Sequence, residues 1–230
     1  MLAIVSSNEK YIKDLVKKFD SEIASSPEKT KLYKCKYEEH DFLLMSTGIG
    51  KVNISSSLRY ICDFYKINLI LVIGTSGCIC NCHNILDASI PKYSMQFDAD
   101  FSSLGYKSSF IPKVNSCTFK TNNDINSCLK NICSKKGIKY SVMPVSSSDT
   151  FVSNYRLART IFKNYNCSAV DCETGIIGEY CYINKIEYAA LKIFSNYANN
   201  NAFNDYNLYN DDALGMCQDI VYDFIKRFYY

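Results

Sequence analysis

The sequence predicts an α/β fold of three layers, αβα, with a central twisted mixed sheet between helices. Short, wholly apolar segments alternate along the chain with longer segments of helical period, the pattern of strands joined by helices. Several of the apolar segments stop abruptly at glycine or small polar residues, as buried parallel strands do where they meet a ligand crevice. At 230 residues and 47% hydrophobic, the chain is long enough to cover such a sheet on both faces, most simply as one domain over residues 1–230.

Leu2 to Val5 is an apolar strand, followed by a helix over Glu9–Phe19 whose Tyr11, Ile12, Leu15, Val16 and Phe19 share one face. Lys31–Tyr37 and Asp41–Ser46 read as antiparallel strands. The second ends in Thr47-Gly-Ile-Gly50, a tight turn into a helix at Val52–Tyr65. Leu69–Ile73 is a fully apolar strand that runs into Gly74-Thr-Ser-Gly77, read as another glycine-bearing turn. After a looser middle, Asn123–Ser134 forms a helix, and Tyr140–Val145 forms a strand ending in Ser146-Ser-Ser-Asp149. A helix at Arg156–Tyr165 precedes the strand Ala169-Val170, which delivers Asp171-Cys172-Glu173 to the start of a helix reaching Tyr182. The strand Ala189–Phe194 delivers Ser195 and Asn196, the Asn- and Tyr-rich stretch Asn196–Asn210 is a mobile loop over the pocket, and a final helix covers Asp212–Phe228. Each polar strand end taken singly is mere punctuation. Five on one side of one sheet point to a binding site.

Composition narrows the function classes. Twenty-six basic and 23 acidic residues give a net charge of +3, and the pairs Lys17-Lys18 and Lys135-Lys136 read as solvated helix ends, so a nucleic-acid partner is not expected. No apolar run is long enough to span a bilayer. Met1-Leu-Ala-Ile-Val-Ser6 is too short for the apolar core of a secretory signal, and twelve cysteines in a chain of this size and apolarity suit reduced thiols in the cytoplasm. Cys78-Ile-Cys80-Asn-Cys82-His83 is the one cysteine cluster. Alternate residues of an extended chain face opposite sides, so these side chains are not expected to converge, and no metal is predicted. With His40 and His83 the sole histidines, a Ser-His-Asp or Cys-His mechanism has few candidate bases.

Ser46-Thr-Gly-Ile-Gly-Lys51-Val-Asn53, Gly74-Thr-Ser-Gly77, Gln96-Phe-Asp98-Ala-Asp100-Phe-Ser-Ser-Leu-Gly105-Tyr106, Ser147-Ser-Asp149-Thr-Phe151 and Val170-Asp171-Cys172-Glu173 follow one another in order along the chain. In this set the sequence resembles the nucleoside phosphorylase and hydrolase superfamily, most closely its 5′-methylthioadenosine/S-adenosylhomocysteine nucleosidase branch. The resemblance implies a nucleoside phosphorylase-like fold and cleavage of the N-glycosidic bond of a purine nucleoside, without metal or organic cofactor. It sets Phe151 against the purine, the backbone of Val152 on the base edge, Cys172 beneath the ribose, and Glu173 on the ribose hydroxyls, where its charge favours a positive ribosyl group. Thr75, with Ser76 and Gly77, lies near the sugar and departing nitrogen, and Ile49, Asp171 and Tyr206 complete the substrate-binding set. Phe101, Leu104, Tyr106 and Pro112 would line a neighbour's pocket for the 5′ substituent, which implies a homodimer.

Three positions depart from the pattern that the resemblance supplies. Val72 stands where phosphorylases carry a phosphate-binding arginine, and valine cannot replace it, so water is the expected acceptor. Tyr11 stands where the nucleosidase branch carries a water-activating glutamate, with Glu9 half a turn away as a substitute. Asn196 stands where the branch carries the aspartic acid that protonates the base at N7. An amide donates a hydrogen bond to N7 but transfers no proton; it can also accept from an adenine amino group or, reoriented, donate to a 6-oxo group. Purine nucleoside hydrolysis, phosphorolysis, and nucleoside binding without catalysis are the readings that follow, with Glu173, Asn196 and Glu9 as the candidate catalytic residues.

Overall fold

The computed structural model describes residues 1–27 and 30–229. Their strands are β1 (Leu2–Ser6), β2 (Asp20–Ile23), β3 (Lys31–Tyr37), β4 (His40–Ser46), β5 (Leu69–Cys78), β6 (Ala88–Ser89), β7 (Tyr93–Gln96), β8 (Phe119–Lys120), β9 (Tyr140–Ser141), β10 (Val145–Ser147), β11 (Ala169–Asp171) and β12 (Glu187–Asn196). The helices are α1 (Lys13–Lys18), α2 (Lys51–Phe64), α3 (Asn123–Lys135), α4 (Tyr155–Tyr165), α5 (Thr174–Asn184) and α6 (Ala202–Phe228).

The strands form one mixed sheet in the order β2-β3-β4-β1-β5-β11-β10-β7-β8, with β12 and then β6 and β9 branching from β5. Strand β5 is the pivot: its first part lies parallel to β1 and β12, and its last residues Gly77 and Cys78 pair antiparallel with β11. Successive side chains of a strand face opposite sides, and the core divides accordingly. Leu2, Ile4, Leu69, Leu71, Ile73, Leu191 and Ile193 pack against Leu15 of α1, Leu129 and Ile132 of α3, and Ile220 and Phe224 of α6. Ala3, Val5, Ile70, Val72 and Ala190 pack on the other face against Ile54, Leu58 and Ile61 of α2 and Ile176 and Ile177 of α5. The expected αβα layering follows directly from this double burial.

Several local expectations are corrected. Gly74–Gly77 is the interior of β5, not a turn. The glycines are needed for close approach: a Cβ at Gly74 would sit 3.1 Å from Glu173 Oε1, and one at Gly77 would sit 2.9 Å from Asn196 Oδ1. Tyr140–Val145 is broken, because Pro144 cannot donate to a ladder; β9 and β10 belong to different parts of the sheet. The loop expected over Asn196–Asn210 is confined to residues 197–201, since α6 begins ten residues early. Local composition disfavours this helix, but burial of Ala202, Asn210 and Ala213 against the sheet overrides it. Strand β5 also ends at Cys78, and the chain then turns, so Cys80, Cys82 and His83 converge after all.

Candidate active site

The strand ends meet at a cavity of about 290 Å³. Ser7 and Tyr11 line it after β1, Ile49 after β4, Thr75, Ser76 and Gly77 within β5, and Thr150, Phe151 and Val152 after β10. Val170, Asp171, Cys172 and Glu173 enter from β11, Ser195 and Asn196 from the end of β12, and Phe203 and Tyr206 from α6. This is the crevice outside the carboxyl ends of strands that open α/β sheets use for ligands. Asp149 helps fix its rim: its carboxylate accepts from the backbone N–H of Lys51 at 3.0 Å, while Lys51 Nζ reaches Asp98 Oδ1 at 2.8 Å. The start of α2 is thereby tied to the loop that carries Phe151.

Glu173 stands at the N-cap of α5, but its side chain caps nothing. Its Oε1 instead accepts from Lys192 Nζ, which also lies 3.3 Å from Asp171 Oδ2. The Lys192 side chain is 0% exposed. The sequence signal for this residue is a single lysine in an otherwise apolar strand. A buried ammonium is costly unless paired, and here two carboxylates hold it. Burial alone would lower the Lys192 pKa, but Glu173 and Asp171 raise it, so the ammonium stays charged. Burial also raises the Glu173 carboxyl, against the pull of Lys192. Lys192 thus sits between the two carboxyl groups at this end of the site.

Asp171 borders the cavity, yet its carboxylate is turned into the protein. It accepts from the hydroxyls of Ser147 and Thr174 and, at 3.2–3.3 Å, from the backbone N–H groups of Glu173 and Thr174. It anchors the start of α5 and leaves Glu173 as the carboxylate free to meet a ligand.

Tyr11 takes the expected place in the cavity, but Glu9 does not substitute for the missing glutamate. Residues Glu9–Tyr11 form a single 3-10 turn, capped by the Asn8 side chain on Lys10 N–H, and not the first turn of a long helix. That turn sends Tyr11 inward and Glu9 outward. Glu9 accepts from Tyr33 at 2.8 Å on the exposed surface, away from the cavity. The Tyr11 hydroxyl lies 2.8 Å from Thr75 Oγ1 and donates to Asn210 Oδ1 at 3.1 Å. Burial pushes the Tyr11 phenol well above its ordinary range, so it remains protonated and is no base.

Asn196 is oriented by its neighbours. Its Oδ1 accepts the Ala198 backbone N–H at 2.8 Å, a donor that cannot be reversed, and this fixes which end of the amide is which. Nδ2, which donates to Ser195 Oγ at 3.2 Å, is the end left for a ligand. Phe151 is half-exposed at the rim and meets the Tyr206 ring edge-on, with centroids 5.9 Å apart. Cys172 Sγ donates to Thr150 O at 3.7 Å, and burial pushes its thiol up to about 12, so it serves as a small packing group. Ile49 and Phe203 are largely exposed at the mouth. Phe101, Leu104 and Tyr106 stay outside this cavity, on the surface, with Tyr106 stacked on Phe110.

The Phosphorylase superfamily model matches residues 1–226. The chain belongs to this superfamily. Within the family, it is 31% identical over 174 residues to a 5′-methylthioadenosine/S-adenosylhomocysteine nucleosidase of Buchnera aphidicola, covering 75% of this chain and 73% of the relative. The corresponding nucleosidase of Staphylococcus carnosus is 24% identical across 98% of this chain and 99% of its own. Among solved structures, an aspartate-to-asparagine mutant of the Helicobacter pylori enzyme, with 5′-methylthioadenosine in its active site, superposes with a TM-score of 0.93. It has 18% identity and covers 98% of both chains. That superposition shows the family fold.

Proposed function

We propose that this chain hydrolyses the N-glycosidic bond of purine nucleosides, releasing the base and a ribose derivative, with 5′-methylthioadenosine and S-adenosylhomocysteine as leading substrates. One observation carries the reading: a desolvated glutamate, Glu173, held by Lys192 in a crevice that also presents Phe151 and the Asn196 amide. Nucleosidases similar in sequence to this chain bear the names of those two substrates.

In this reading the purine lies against Phe151, the ribose hydroxyls donate to Glu173, and Asn196 Nδ2 donates to N7. As the bond to the base breaks, electrons move onto the purine and positive charge develops on the ribosyl group. A carboxylate in a water-poor site stabilises that charge far better than it could in bulk water. Water then adds to the ribosyl cation, and the proton it releases ends, through solvent, on the departed base. The cation is electrophilic enough to need little activation of water, which accommodates Tyr11. The exposed apolar side chains at the mouth, Ile49 and Phe203, suit an uncharged thioether at the 5′ carbon.

Water is favoured over phosphate as acceptor. Among the described residues no arginine lines the cavity, and the Lys192 ammonium is already held by two carboxylates. A second reading, nucleoside binding without turnover, draws on Tyr11 and Asn196 standing where an acid-base pair would be needed. The exposed Phe101, Leu104 and Tyr106, with Pro112, support a homodimer in which each protomer completes its neighbour's 5′ pocket. A cytoplasmic location fits a chain in which, among the described residues, no helix is long and apolar enough to cross a membrane.

The test is chromatographic measurement of base release from methylthioadenosine, S-adenosylhomocysteine, inosine and adenosine, with and without phosphate, alongside calorimetric binding. Phosphate-independent release supports hydrolysis. Binding with no release over hours would establish the second reading instead.

A further inference from the structure

Beyond the cavity, a second constellation of chemically capable side chains lies at the far end of β5. Cys78 closes the strand, and the following turn brings Cys80, Cys82 and His83 together so that one donor atom of each lies within 4.8 Å of the others. Cys82 Sγ is 2.9 Å from Cys80 Sγ, and Cys78 Sγ is 4.0 Å from Cys80 Sγ. All three sulfurs belong to free cysteines. His83 is backed by a carboxylate: Nδ1 lies 3.3 Å from Asp87 Oδ2, which also accepts the Asn84 backbone N–H at 3.0 Å. The backing is itself rigid, because Leu86 and Asp87 exchange backbone hydrogen bonds with Phe194 of β12, and the His83 ring packs against the Phe194 ring.

We propose that Cys78, Cys80, Cys82 and His83 form a binding site for a thiophilic divalent cation of the zinc type. Three sulfurs and one imidazole are a donor set that tetrahedral zinc takes in closed structural sites. Bonds of about 2.3 Å to sulfur place two thiolates roughly 3.8 Å apart. The Cys78–Cys80 separation nearly meets this, and Cys82, exposed on a turn, widens from Cys80 by side-chain rotation. A carboxylate on the second imidazole nitrogen is the usual outer partner of a metal-bound histidine, fixing its tautomer and ring plane. A disulfide between any two of the cysteines would leave the third sulfur and the oriented His83–Asp87 pair without a role. Softness favours zinc over magnesium or calcium, since thiolate and imidazole are poor ligands for hard cations.

The cation would act on the nucleoside crevice through structure and not through chemistry. Cys78 follows Gly77, whose Cα packs directly against Asn196, and both Gly77 and Cys78 pair with β11. Closing the turn on a metal fixes the end of β5 to which these neighbours are registered.

The test uses full-length protein purified under reducing, chelator-free conditions. Metal content is measured by plasma mass spectrometry, and metal-free protein is then titrated with Co²⁺. The expected results are one equivalent bound per chain, an intense thiolate-to-cobalt charge-transfer band with tetrahedral visible absorption, and displacement by Zn²⁺. Cys82→Ser and His83→Ala should weaken affinity at least tenfold, Asp87→Asn by about 10–100-fold, and Cys117→Ser should leave it unchanged. The thermal midpoint of the wild type should rise with zinc and that of Cys82→Ser should not. No charge-transfer band in the wild type, equal loss in Cys117→Ser, or a Cys80–Cys82 disulfide in anaerobically prepared protein would overturn the proposal.

Discussion

Lys192 donates to Glu173 across the carboxyl end of the sheet, and both side chains are buried, 0% and 6% exposed. A salt bridge this deep is a demanding element to build, because removing either partner strands an uncompensated charge. Lys192→Met should therefore lower the free energy of unfolding by roughly 3–5 kcal/mol, read from urea denaturation. An unchanged midpoint would show that Glu173 is not held by this lysine.

The same pair sets a pH dependence. Burial raises the Glu173 carboxyl, with Lys192 opposing, and the proposed role requires the ionised form. Activity should fall on acidification through a value above the ordinary glutamate pKa of about 4.3. The acid limb of kcat/KM against pH is the measurement, and a limb at or below that value would contradict the assignment. Lys192 is raised above its ordinary value by its two carboxylates. Its stabilising contribution should be complete below about 10.4 and be lost as pH rises through the higher folded value. The stability difference between wild type and Lys192→Met should close only there.

Asn196 holds its Oδ1 on Ala198 and offers Nδ2, so Asn196→Asp keeps the backbone contact while supplying a proton-bearing group. General acid catalysis typically contributes ~10²–10⁴-fold. Release of adenine from methylthioadenosine should rise by about 10² or more, and further in combination with Tyr11→Glu. No increase in either variant would mean that leaving-group protonation is not what limits this protein.

A donor at this position also bears on the base. Nδ2 can serve N7 or a 6-oxo group, whereas the acceptor end is occupied. Inosine should therefore be cleaved faster than adenosine, and Asn196→Asp should reverse the order. Equal or slower release from inosine would contradict this preference.

Gly77 has no room for a side chain. A Cβ there would lie 2.9 Å from Asn196 Oδ1, 3.0 Å from Ala198 Cβ and 3.1 Å from Val170 Cγ2. Gly77→Ala should destabilise by roughly 1–3 kcal/mol through overpacking and raise KM by displacing Asn196. Thermal melting with steady-state kinetics checks both.

Much of this arrangement was legible in the sequence, for physical reasons. Apolar strands buried on both faces announce themselves, the polar residues at their ends mark Glu173 and Asn196, and the family resemblance adds Thr75 and Phe151. What failed depended on long-range packing. The glycines of Gly74–Gly77 read as a turn because local sequence cannot reveal that Glu173 and Asn196 press against them. Residues 202–210 read as a loop because their helix is stabilised by the sheet and not by their own propensity. Glu9 is no substitute base because the 3-10 turn that brings Tyr11 inward directs Glu9 to the surface, a placement that helical periodicity does not give. Lys192 was visible but unread, as its meaning lies in two carboxylates some twenty positions away.

Base release from methylthioadenosine, compared between wild type and Glu173→Ala with and without phosphate, tests the account most directly. The wild type should release adenine at a rate independent of phosphate, and a folded Glu173→Ala variant should release none. Release that requires phosphate, or that survives the substitution unchanged, would contradict it.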